Sequence, residues 1–378
     1  MVLSTGSADD DASALDPLAL WVLPVSNLAG VARHTLDALG AGIPGWRVVV
    51  LAPSGPIVGK LEEIGVPVVV GEFGPESGLL ASMRTLRHTC AALRPEIVHT
   101  HLAYADIVAA VTPLSGAKRV STEHGIAACD HVYQGSSWRS LAMRRVHQVR
   151  LKRADALIAV CQSTADTMRR NWHTDAEISV IVNGFDTPER IPERQPTSAP
   201  HVLSLSRLAR EKRIDAVLKA FSLLLQEHPD ARLTIAGEGE LDQELRVLAD
   251  DLGIADRTVF PGFIDPDVVL AEADVVVQLS VWENCSYTLL DAIGAGCGVV
   301  ASPVGGNSEI LPVRCLIDPT ESQTVANAIL TLATRLTERP SLASEWPSRA
   351  DMSARLGEIY GDLTPDARPR NRRVVGHH

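Results

Sequence analysis

The feature that most constrains this chain is a repeated alternation. Short apolar runs are each followed by an amphipathic stretch, in two successive sets. In the first set the apolar runs fall at 18–24, 47–51, 66–70, 97–100, 119–122 and 156–160, with helical spacing at, for example, 31–39, 79–93 and 164–171. In the second they fall at 202–206, 232–236, 258–260, 275–279, 298–301 and 313–317, with helical spacing at 322–336 and 342–360. The runs are continuous rather than alternately polar, which marks strands buried on both faces. Strands separated by helices pair in parallel, because a parallel neighbour needs a crossover connection. The expected fold class is α/β, with two Rossmann-like, doubly wound parallel sheets. Ligands of such sheets sit beyond the carboxyl ends of the strands, so two facing domains would enclose a cleft.

A length of 378 residues suits two domains. Residues 187–200 hold four prolines among charged residues and read as a linker. The expected division is a disordered tail at 1–16, an N-terminal domain at 17–190, a linker at 191–200 and a C-terminal domain at 201–340. A last helix at 341–362 and a basic tail at 363–378 follow. A net charge of −11 argues against nucleic acid as a partner. Cys90, Cys129, Cys161, Cys285, Cys297 and Cys315 form no C-x-x-C pair and read as reduced core thiols. The acidic start lacks the basic and apolar segments of a signal peptide, and no run of about eighteen apolar residues exists. A cytoplasmic location is expected.

Chemistry concentrates after the expected strands. Glu283 lies in a polar turn before an amphipathic run, and Asp291 follows eight residues later. On a continuous helix both would lie near one face. Glu283 would sit at or before the helix start, where free N–H groups attract anions. The amides can take phosphate while the carboxylates accept from hydroxyls, although the same residues also describe a solvated helix start. Arg207 and Lys212 follow the first strand of the second set. His124 follows a strand of the first set, and Gly30 ends a turn before a helix. Gly237 and Gly239 suggest a dinucleotide fingerprint, but Asp242 stands where its third glycine belongs. His99 and His101 alternate on a strand and project to one side. A metal reading of that pair is set aside, because the carboxylate and further histidine of a hydrolase site are not evident at suitable places.

The order Glu283, Asp291, Ala292, Gly296, Val299, Val300, Ala301, Ser302, Gly305, Gly306, Glu309 resembles the signature of retaining nucleotide-sugar glycosyltransferases, family 4 in particular. Asp291 replaces the usual second Glu, Gly298 the usual Pro, and Cys285 and Ser286 stand where Phe and Gly are common. The resemblance covers roughly residues 18–360. It implies the GT-B architecture, with the C-terminal helix crossing back to the first domain. It implies that Arg207 and Lys212 stabilise the leaving diphosphate and that Glu283 binds sugar hydroxyls. It further implies that Asp291 holds the ribose, and that the amides of Cys285, Ser286, Tyr287 and Thr288 meet sugar and phosphates. His124 would contact sugar and diphosphate, the loop ending at Gly30 would lie under them, and the segment through Ile264 would read the base.

The implied activity is metal-independent, retaining transfer of a hexose-type sugar from a UDP- or GDP-sugar to a glycan or lipid-linked hydroxyl. No cofactor and no metal ligand are expected. A GT-B relative doing phosphorolysis or epimerisation, and a non-catalytic nucleotide-sugar-binding protein, stay open at this stage. Residues 136–153 carry six basic residues and no acid. They read either as a helix on an anionic membrane or as one whose apolar stripe packs in the core and whose basic face lines the cleft.

Overall fold

The structure, a computed structural model, describes residues 16–125 and 137–367. The acidic start, the end of the basic tail, Cys129 and Ser136 lie outside them. Aliphatic runs too apolar to leave in water form twelve strands. The first domain holds β1 (Leu18–Val22), β2 (Arg47–Ala52), β3 (Val68–Val70), β4 (Ile97–His101), β5 (Lys118–Glu123), β6 (Ala156–Ala159) and β7 (Ile178–Val180). The second holds β8 (His201–Leu205), β9 (Arg232–Ala236), β10 (Thr258–Gly262), β11 (Val275–Gln278) and β12 (Gly298–Ala301). The sheet orders are β3-β2-β1-β4-β5-β6-β7 and β10-β9-β8-β11-β12. Every pairing is parallel, as with Leu20 opposite Val49 and Val98, or Val202 opposite Leu233 and Val275. All of β1 and β11 is buried, which is why neither strand alternates in sequence.

The winding direction reverses beside the first strand of each sheet. β1 lies between β2 and β4, and β8 between β9 and β11. At these points the loops leaving neighbouring strands diverge and open a crevice. The loops after β8 and β11 carry Arg207, Lys212 and Glu283.

Three expectations change. The run at 313–317 forms a 3-10 turn (Val313–Cys315), and only Leu316 bridges to Ala301. The amides of Cys315 and Leu316 are spent on Pro312 and Val313, so no ladder continues. The last helix is Arg349–Leu363 and starts late. Pro347 keeps Trp346 out of helical geometry, while Ser348 and Asp351 form a reciprocal capping box that starts the helix. The residues before it strap the domains: Trp346 Nε1 donates to the Asn183 carbonyl at 3.1 Å, and the Phe185 amide to Pro347 at 2.9 Å. Third, helix Ser137–Arg153 does not present all its cations outward. Arg150 is buried and ion-paired with Asp106 and Glu123, with its guanidinium 4.7 Å from the Trp172 ring centroid. Val146 and Val149 remain exposed, so this part of the apolar stripe is not core. No described helix is long and apolar enough to cross a membrane.

The last helix crosses to the first domain, where Met352, Leu356 and Tyr360 join its core. Ser353 Oγ donates to the Ala38 carbonyl at 2.8 Å, and the Tyr360 hydroxyl shares a hydrogen bond with His99. Arg194 in the linker donates to the carbonyls of Leu270, Ala271 and Ala295 and pins that segment to the second domain. Removing the cap tests the crossing. Ser348→Ala should cost about 1 kcal/mol, read as a lower urea midpoint for the first domain. An unchanged midpoint would mean that core packing alone holds the helix.

Candidate active site

The loops from β8 and β11 meet at an ion pair. Lys212 closes a 3-10 turn after β8, and its ammonium bonds the Glu283 carboxylate. Ser280 Oγ donates to the same carboxylate oxygen at 2.7 Å. Both charges are largely buried, with side chains 16% and 11% exposed. The turn from β12 supports this loop from below. Gly305 has φ of +54°, and a Cβ there would lie 1.7 Å from the Glu283 carbonyl oxygen.

Arg207 reaches Glu211 at 2.7 Å rather than Glu283, and its side chain is two-thirds exposed (66%). Glu211 ties the two loops, since its carbonyl accepts from the Val281 amide at 2.7 Å. The Gly237-Glu238-Gly239 turn has a packing role here. A Cβ on Gly237 would strike the Ser206 carbonyl at 2.0 Å, so glycine lets this turn close against the Arg207 loop. Ile264 follows β10, half-buried against the second core, with Phe263 exposed beside it.

Helix Tyr287–Gly294 begins just beyond Glu283. Its first amides have no intrahelical acceptor. Cys285 is buried; its carbonyl accepts from Asn183 Nδ2 at 2.8 Å. Ser286 Oγ is held by Gln278 at 3.0 Å, and Thr288 is half-buried. Asp291 faces the first domain, 3.4 Å from the Arg33 guanidinium, which also lies 5.2 Å from the Tyr287 ring centroid. Burial raises the Asp291 pKa, partly opposed by Arg33. The Tyr287 hydroxyl and Trp282 Nε1 are buried without a hydrogen-bond partner among the described residues.

From the first domain, His124 follows β5 and lies against His101, with 2.8 Å between His101 Nδ1 and His124 Nε2. The next residue, Gly125, abuts Trp282 and Asn284 beside Glu283. Burial lowers the pKa of His124, so its ring is neutral at pH 7. Gly30 opens helix Gly30–Ala41, and a Cβ there would meet nothing within 4 Å, so the turn faces open space. The first amides of helix Gln162–Trp172 donate to Glu309 at 2.9 and 3.0 Å, placing a carboxylate from the second domain on a helix N-terminus of the first. A cavity of about 240 Å³ lies between the domains, lined by Ser163, Thr167, Arg170, Trp282, Glu283 and Asn284 among others. Cys90, Cys161, Cys285, Cys297 and Cys315 are free and buried.

Lys212, Glu283, the helix start and the His124 loop thus converge on one groove. Sequence reasoning missed Arg33, Asn183, Glu211 and Arg170. The charge of Arg33 was visible, but its partner lies 258 positions away, and no local pattern carries that distance.

Two facing parallel sheets with a returning C-terminal helix define the GT-B class. Residues 29–189 match Glycosyltransferase Family 4, and residues 186–342 match Glycosyl transferases group 1. Glycogen synthase of Mycobacterium tuberculosis is 31% identical over 329 residues, covering 76% of this chain and 78% of the relative. Sucrose-phosphate synthase from Thermosynechococcus elongatus superposes with a TM-score of 0.74 at 19% identity, over 93% of this chain and 100% of that one. Anabaena Alr3699/HepE in complex with UDP-glucose gives 0.73 at 20% identity, over 93% and 98%. The chain belongs to the family 4 glycosyltransferases.

Because Gly305 seats Glu283, Gly305→Ala should move that carboxylate while both cores stay intact. Glycosyl transfer should fall on the order of 100-fold with unchanged circular dichroism. Normal turnover would show that the Glu283 position is not critical.

Proposed function

We propose that this protein is a retaining glycosyltransferase. It moves a hexose from a UDP- or GDP-sugar to a hydroxyl of a glycan or lipid-linked acceptor, in cell-surface polysaccharide or glycolipid synthesis. The observation that carries this reading is the Lys212–Glu283 pair at the reversal point of the second sheet, with Arg207 five residues before Lys212 in the same loop. When the bond from the sugar to the diphosphate breaks, negative charge grows on the leaving phosphate. Lys212 and Arg207 supply fixed positive charge there, which is why the transfer needs no metal at the diphosphate. Glu283, freed from part of its contact with Lys212, accepts from the sugar hydroxyls near the reacting carbon.

Asp291 has lone pairs to spare beyond its contact with Arg33 and takes the ribose hydroxyls. The amides of Cys285, Ser286, Tyr287 and Thr288 receive sugar and phosphate oxygens. His124, neutral, donates a hydrogen bond to sugar or diphosphate and is not a general base. The backbone at Ile264 meets the base, and the turn at Gly30 closes on the diphosphate from the first domain. The acceptor hydroxyl attacks the face that the diphosphate leaves, and a donor phosphate oxygen takes its proton. Alr3699/HepE, similar in fold, binds UDP-glucose, which supports a nucleotide-sugar in the groove. A lipid-linked acceptor would approach past Val146 and Val149, exposed near Arg145, Lys152 and Arg153. A cytoplasmic setting, at most peripheral to the inner membrane face, fits this chemistry.

Arg207→Ala and Lys212→Ala should each raise the barrier by roughly 2–4 kcal/mol, measured as nucleoside diphosphate release in the presence of acceptor. A near-normal rate removes that residue from the role. A thermal-shift panel of UDP, GDP and ADP identifies the base, because a ligand specific for the folded form raises its apparent stability. If none of the three stabilises the protein, the donor reading fails.

A further inference from the structure

The first domain gathers three histidines, of which the proposed transfer uses only His124. His34 comes from helix Gly30–Ala41, His101 ends β4, and His124 follows β5. One nitrogen from each lies within 4.8 Å of those of the other two. Their rings pack closely, with centroids 4.7 Å apart for His34 and His124 and 5.1 Å for His101 and His124. His34 and His101 are 1% and 0% exposed, yet Nε2 of each has no partner among the described residues. Buried ring nitrogens are normally hydrogen-bonded, so two orphans in one cluster need an explanation.

We infer that His34, His101 and His124 form a binding site for one divalent transition-metal ion of the zinc class. Three imidazoles with no carboxylate suit zinc, cobalt, nickel or copper and not magnesium or calcium. Nitrogens about 2.0–2.1 Å from a tetrahedral zinc lie roughly 3.3 Å from one another. The atoms in contact at 2.8 Å are His101 Nδ1 and His124 Nε2, so offering the unpartnered Nε2 of His101 would give up that contact, while one ligand atom of each ring lies within 4.8 Å of the other two. Binding would draw the three rings together from that spacing.

A metal-bound histidine usually gives its second ring N–H to a protein acceptor, which fixes the tautomer. His34 already has that arrangement: Nδ1 is 3.0 Å from Asn183 Oδ1. The Asn183 amide nitrogen is committed to the Cys285 carbonyl, so its oxygen faces the ring and Nδ1 carries the hydrogen. Nε2 is then left with a lone pair and no hydrogen to donate. His124 is the half-buried member, and an ion enters past it. Three protein ligands leave a fourth position for water or another oxygen.

This departs from the expectation of no metal ligand. The histidine pair on β4 lacked a further histidine in sequence, and the fold supplies one from each of two other elements. The site is separate from Lys212 and Arg207, which lie in the other domain, so it stands whether or not the diphosphate chemistry above holds.

The test is cobalt titration of the full-length protein carrying His377→Ala and His378→Ala, which removes ligands at the chain end. One cobalt per chain should bind, with the intense visible absorption of a four-coordinate ion. Zinc should displace it one for one. His34→Gln and His101→Gln, which keep a polar side chain, should abolish binding, and Asn183→Ala should weaken it roughly 10–100-fold. Absence of four-coordinate absorption in the parent protein overturns the proposal without recourse to any variant. Cobalt binding that survives in folded His34→Gln and His101→Gln overturns it as well.

Discussion

The structure of the groove depends on one contact, the ion pair between Lys212 and Glu283. It joins the loops that leave β8 and β11, the two strands between which the second sheet reverses its winding. Neither charge is well solvated, so each relies on the other for compensation, and Glu283 also on Ser280. On the proposed function, a diphosphate would take over the ammonium and sugar hydroxyls the carboxylate, so that neither charge is left alone in a buried site. The turn through Gly305 and the bond from Val281 to Glu211 keep both loops in register while that exchange happens.

The two domains meet through contacts of a different kind. Arg33 lies against Asp291 and Tyr287, Asn183 holds the Cys285 carbonyl, and Thr164 donates to Asn284 at 2.8 Å. Glu309 receives two amides at the start of helix Gln162–Trp172. These are polar and local, although Val160 and Cys161 of the first domain also pack into the aliphatic core of the second. An interface built so can open and close at modest cost, and closure is what excludes water from a reactive sugar. The last helix is the exception: Met352, Leu356 and Tyr360 are core residues of the first domain and keep the halves together in either state.

Most of the sheet architecture was legible because parallel strands covered on both faces must be continuous apolar runs. β7 escaped notice because Ile178–Val180 is a three-residue edge strand with one buried side chain. The run at 313–317 misled because its apolar residues serve a turn, with Val313 exposed. Glu283, Lys212 and Asp291 were legible as residue types at particular spacings after strands. Their partners were not. Nothing near Asp291 in sequence points to Arg33, and a helix with no acid of its own gave no sign that Asp106 and Glu123 would bury Arg150. The histidine cluster shows the same limit, since its three members come from three different elements.

The most direct test is a crystal structure with the nucleoside diphosphate that binds. The account predicts β-phosphate oxygens within hydrogen-bond reach of Lys212 Nζ, Arg207 turned from Glu211 toward the same phosphate, and Glu283 open to the sugar position. A diphosphate bound with Lys212 still committed to Glu283, and with neither cation touching phosphate, would contradict it.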